Sequence, residues 1–180
     1  MKGVIFTELL AMADEHLDPE VVEEVIDAAD LPSGGAYTSI GTYSFSELQS
    51  LAVGFAGRME LPLGVVLHTF GNHLFEYFLR SHGKFFSDIH DTYDLLQRIE
   101  DEIHIEVRKL FPDAELPTFA CSEPILGELL LEYRSTRCLA DLAAGMIEAA
   151  IRHYGESITV TSKDLSGGQG SHVVFTLRRS

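Results

Sequence analysis

The chain changes character about two thirds of the way along, and the change limits what it can fold into. As far as Leu110, apolar residues recur at spacings of three and four; Pro112 and Pro117 end that regime, and the final third reads as strands around one helix. Val4, Ile5, Leu9, Leu10, Met12 and Ala13 predict a helix over 2–16. Asp18–Pro19–Glu20 starts a second, to about Ala29, which Leu31–Pro32–Ser33–Gly34–Gly35 breaks. Residues 36–42 link, with some extended character. Ser44-x-x-Glu47 has the form of a capping box and opens a helix to about Met59. Pro62 opens another, with Val65, Val66, Phe70, Leu74 and Phe78 as its buried side, ended by Gly83. A long helix is expected from about Asp91 to Leu110, striped by Leu95, Leu96, Ile99, Ile103, Val107 and Leu110.

Beyond Pro117 the expected order is a strand near Thr118–Ser122, a long strand Ile125–Ser135, a helix Cys138–His153, and strands Ile158–Lys163 and His172–Arg178. The last two are joined by Ser166–Gly167–Gly168–Gln169–Gly170. Helices followed by strand–strand–helix–strand–strand give an α+β domain, its helical part packed on an antiparallel sheet. A single domain of 180 residues is implied, and 46% hydrophobic residues suffice for a sizeable core.

The formal charge of −15 argues against phosphate backbones and anionic lipid as partners, and for a basic or mixed protein surface. No segment approaches the ~20 apolar residues of a membrane span. No secretory signal is read at the start, because Glu8, Asp14 and Glu15 interrupt the apolar run. Cys121 and Cys138 form no C-x-x-C pair and read as buried free thiols, so a cytoplasmic location is expected.

The residues that point to chemistry are Tyr133, Ser135 and Arg137, a Tyr-x-Ser-x-Arg run within Leu129–Arg137. Read as a strand, the run puts all three side chains on one face. Two hydroxyls beside a planar guanidinium fork suit a ligand with two adjacent carboxylates and an apolar body; haem, with its propionates, is one. His104 flanks the apolar stripe of the long helix. Neutral imidazole is a common metal and haem ligand, yet His16, His68, His73, His82, His90, His153 and His172 share that chemistry, so residue type alone does not choose among them.

Over essentially its whole length the chain resembles the H-NOX (haem–nitric oxide/oxygen binding) family, whose haem domain is shared with soluble guanylate cyclase. Three segments carry the resemblance: Met1–Lys2–Gly3 opening an apolar helix, Ile103–Ala114 around His104, and Tyr133–Arg134–Ser135–Thr136–Arg137. The resemblance implies haem enclosed between a distal helical subdomain (about 1–60) and a proximal helix-and-sheet subdomain (about 61–180). It makes His104 the proximal iron ligand and assigns the propionates to Tyr133, Ser135 and Arg137. Pro117 would press on the macrocycle, and Phe78 and Ile103 would pack near it. The haem is expected to be type b, since no C-x-x-C-H is present. The chain lacks the C-terminal cysteines of zinc-bearing relatives, so structural zinc is not expected.

Oxygen-binding members place a tyrosine on the helix after the signature, where this chain has Leu142. Ile5, Leu9, Leu74 and Met146 are the other implied distal positions, none a strong donor. The distal side would then bind NO and CO and exclude O2, with Tyr77 or Tyr154 as exceptions if either turned inward. By the same analogy the signal passes to a separate histidine kinase or cyclic-di-GMP enzyme, and the chain itself is not an enzyme. Two other readings compete. Asp101-x-x-His104 fits half of a carboxylate-bridged di-iron site, although Glu23, Glu24, Glu47, His68 and His73 lack the matching spacing. A non-haem small-molecule binding module is the third class.

Overall fold

The computed structural model describes all 180 residues. Four helices form the N-terminal part: α1 (Gly3–His16), α2 (Pro19–Ala28), α3 (Phe45–Met59) and α4 (Leu63–Ser81). Phe6, Leu9 and Met12 of α1, Leu51 and Phe55 of α3, and Val66, Phe70 and Leu74 of α4 share one core. Burying each such side chain contributes about 1.5–3 kcal/mol before entropy is charged against it. On α4, Val65 is exposed, whereas Leu67, Gly71 and Phe75 are buried beside Val66 and Phe70. The start of α3 departs from a capping box. Ser44 does cap, accepting the N–H of Ser46, but Glu47 is 3% exposed and turns inward. There it accepts from the hydroxyls of Tyr37 (2.9 Å) and Ser33, tying down the loop before the helix.

The expected long helix over 91–110 is three pieces: α5 (Thr92–Gln97), a π-helical turn (Ile99–Ile103) and α6 (His104–Leu110). The N–H of Ile103 reaches back five residues to the carbonyl of Arg98. That widened turn rotates α6 out of the stripe, which is why Leu110 is 54% exposed.

The sheet holds β1 (Thr118–Ile125), β2 (Glu128–Arg134), β3 (Ile158–Asp164) and β4 (His172–Arg179), all pairs antiparallel, in the order β1-β2-β4-β3. The long strand expected from Ile125 begins at Glu128: Ile125 closes β1, and the turn passes through Gly127 at φ 83°. Leu129, Leu131 and Tyr133 of β2 alternate inward and meet Leu177, Phe175 and Val173 of β4 in register. α7 (Ala140–Tyr154) covers that face with Ala143 and Ile147. It also crosses α4, and the crossing is backbone against backbone. A Cβ at Gly71 would collide with the carbonyl of Leu142, and one at Gly145 with that of His68. No single helix is long and apolar enough to cross a membrane.

Candidate functional site

A cavity of about 410 Å3 lies where the helical part meets the sheet. Twenty-eight of its 36 lining residues are hydrophobic, so an apolar body is what it can accept. Ile5 of α1, Leu74 and Phe78 of α4, and Leu142 and Met146 of α7 form one side. Ile103, His104 and Pro117 line it from the segment after α5. Tyr133, Ser135 and Arg137 line it too, so the structure brings the signature and His104 to one space. Leu9 is not on the wall; it is fully buried in the helical core.

The signature reaches the cavity by a route that differs from strand alternation. Only Tyr133 is within β2; Ser135 and Arg137 belong to the turn after it. The turn keeps them inward because Ser135 Oγ accepts the N–H of Arg137 (3.1 Å) and Tyr133 Oη accepts the N–H of Leu139 (3.0 Å). Arg134 and Thr136 between them are exposed. Arg137 donates Nη1 to the Glu115 carbonyl (3.1 Å) and Nη2 to the Glu115 carboxylate. Glu115 is exposed, so that carboxylate can yield to another.

His104 is 8% exposed. Its Nδ1 lies 3.0 Å from Glu100 Oε1, and the same oxygen accepts the backbone N–H of Phe119 at 2.8 Å. The π-helical turn sets Glu100 there. A carboxylate only accepts, so Nδ1 carries the proton and the lone pair sits on Nε2, which has no partner in the protein. Burial pushes the His104 pKa down against the pull of Glu100, favouring the neutral ring a metal needs.

Other groups near the site were not singled out in the sequence. Glu100 is legible in retrospect, four residues before His104 on helical spacing. Phe119, with its ring 5.9 Å from that of His104, gives no such sign. His82 lines the cavity beside Tyr77 and has a buried Nδ1 without a protein partner. Tyr154, the other tyrosine of interest, is off the wall. Of the two thiols, Cys121 is half-buried, but Cys138 is exposed because it sits in the turn at φ 55°. No three His, Cys, Asp or Glu side chains converge to hold a metal, which leaves the di-iron reading without a ligand set. The donor set instead fits haem: one imidazole with a free Nε2, an apolar volume, and two hydroxyls with a guanidinium for acid arms.

Comparison with known proteins agrees with that fit. Residues 2–162 match the family model described as haem-NO-binding. The chain is similar to the unliganded Fe(II) H-NOX protein of K. algicida at 33% identity, covering 100% of this chain and 97% of that one, with a TM-score of 0.95. It is similar to the H-NOX protein of S. oneidensis in the Fe(II)NO state at 27% identity, covering 100% and 99%, with a TM-score of 0.92. The H-NOX of Shewanella woodyi, bound to IWP-051 in the Fe(II)CO state, gives 30% identity, 100% and 95% coverage, and a TM-score of 0.85. Curated proteins provide no match.

Proposed function

Because the chain belongs to the haem-NO-binding (H-NOX) family, haem-based gas sensors with haem iron as cofactor, we propose that it binds NO and CO, excludes O2 and signals to a separate effector. One observation carries the reading: His104, its Nδ1 fixed by Glu100, presents a free Nε2 to an apolar cavity that Tyr133, Ser135 and Arg137 also line. Haem, when bound, would supply a ferrous iron able to take an imidazole and a diatomic gas. His104 is the residue that holds it, and Glu100 orients that ring. Tyr133, Ser135 and Arg137 hold the two carboxylates, Arg137 turning from Glu115 to do so. Pro117 presses on the flat body, and Phe78 and Ile103 pack near it.

Ile5, Leu74, Leu142 and Met146, backed by Leu9, offer a gas no hydrogen bond. NO and CO tolerate that; O2 needs a donor. Tyr77 and His82 are the polar wall residues that bear on this point. A looser hold on His104 would let α6 and the segment bearing Pro117 relax. The distal unit (about 1–60) then shifts against the proximal unit (about 61–180), a population shift between two packings. The effector we infer is a histidine kinase or a cyclic-di-GMP enzyme, on family analogy and on a charge of −15 suited to a basic partner surface. Two free thiols support a cytoplasmic setting, and the sensor reading makes the chain no enzyme.

Absorption spectra of the ferrous protein under argon, air, CO and NO test the proposal. A Soret band that moves with CO and NO but not with air is expected. A stable ferrous–oxygen spectrum would overturn O2 exclusion, and Tyr77→Phe and His82→Phe would then identify the donor. Material that stays colourless after hemin is added would favour the non-haem binding module.

A further inference from the structure

The first residues of the chain are fastened to residues 39–43. Gly3 N–H donates to the Gly41 carbonyl (2.8 Å), Tyr43 N–H to that of Met1 (2.9 Å), and the terminal ammonium to that of Tyr43 (2.7 Å). Lys2 projects from this fixed base with its side chain only 14% exposed. Its Nζ donates to Thr42 Oγ1 (2.8 Å) and to both oxygens of Asp113 (3.1 and 3.3 Å), and Thr42 Oγ1 donates on to Asp113 Oδ2 (2.9 Å). The ammonium also stands 5.3 Å from the centroid of the Phe111 ring. These contacts lower the Asp113 carboxyl from its usual range, chiefly through the hydrogen bond from Lys2.

Asp113 lies three residues beyond Leu110, the last residue of the helix that His104 opens. Two residues further on, Glu115 is gripped by Arg137 through both its carbonyl and its carboxylate. Without haem the segment 111–117 is therefore held at two points, by the N-terminus on one side and by the signature turn on the other; once Arg137 turns to the carboxylates of haem, the N-terminal hold is the one that stays. Pro117 is the last residue of the segment.

We propose that the Lys2–Thr42–Asp113 cluster is a clasp that limits how far α6, and with it His104, can draw back from the cavity. Lys2 and Asp113 are positioning residues: Lys2 also reaches the cavity wall, but its ammonium is taken up by Thr42 and Asp113, and both residues act through the segment after α6. Charge-assisted hydrogen bonds are the stronger kind, and a largely buried ammonium that loses its carboxylate keeps only the Thr42 hydroxyl. The clasp thus favours retention of His104 as a ligand when gas binds. This part rests on the sensor reading; the mechanical part does not.

Asp113→Asn and Lys2→Gln, singly and together, test it. Amide hydrogen exchange over 104–117 is expected to quicken at least about fivefold in either single variant, with no further gain in the double variant, while exchange over α7 stays at the wild-type rate. In ferrous protein given NO, the fraction that keeps His104 bound, read from the Soret position, is expected to fall in the same variants. Unchanged exchange over 104–117 in both single variants, or effects that simply add, would overturn the clasp. Faster exchange with unchanged His104 retention would overturn its role in gas response. A wild-type protein that takes up no haem overturns the sensor reading alone, and the exchange comparison still decides the clasp.

Discussion

Glu100 Oε1 serves two donors from different elements, His104 Nδ1 at 3.0 Å and the Phe119 N–H at 2.8 Å, and so couples the ring of α6 to the first strand. Glu100→Ala strands both donors in a half-buried place. We expect a loss of about 1–3 kcal/mol in urea unfolding. We also expect a mixture of Nδ1–H and Nε2–H tautomers for His104 in 15N spectra of the haem-free protein. A single unchanged tautomer would show that Glu100 does not orient the ring.

Arg137→Ala should cut haem retention about tenfold or more, measured as the transfer rate to apomyoglobin, because it removes a charge-assisted, bidentate donor. Arg137→Lys should fall between, since an ammonium keeps the charge without the fork. Equal retention in all three proteins would remove Arg137 from the site.

Gly145→Ala places a methyl group against the His68 carbonyl at the crossing of α4 and α7. Overpacking of this kind costs about 1–3 kcal/mol, so the thermal midpoint should drop by several degrees. Gly57→Ala, on α3 with open space around it, is the control and should leave the midpoint within about a degree or raise it.

The thiols should separate by reactivity. Burial pushes the Cys121 thiol up to about 11, so at pH 8 only about one in a thousand molecules carries the thiolate there. Cys138 is exposed. One fast thiol per chain is expected with Ellman's reagent at pH 8, and Cys138→Ser should remove it; Cys121 should react only on unfolding or well above pH 8.

The fold was legible where one periodicity ran without competition. The helix starts at Pro19, Ser44 and Pro62 and the four strands stand close to their expected places, because Pro, Gly and alternation act locally. Legibility failed where a side chain was claimed by a distant partner. Glu47 looked like a cap, but Ser33 and Tyr37 hold it. The helix before His104 looked continuous, but it widens where Glu100 serves Phe119. The signature residues were found, and their shared direction was expected from a strand; a turn with its own hydrogen bonds supplies it. Leu9 carried the right apolar character and lies a layer too deep. His82 was not legible as a wall residue, since nothing local shows which end of α4 the cavity meets; Tyr77, named as an exception, does line it.

The meeting of Gly71 with Leu142 and of Gly145 with His68 fixes the spacing of α4 and α7 by main-chain atoms, which no side-chain exchange can thin. Leu74, Leu142 and Met146 hang from that frame at a set separation. Room between them can therefore be made or lost only by recutting those side chains, while the scaffold keeps its dimensions.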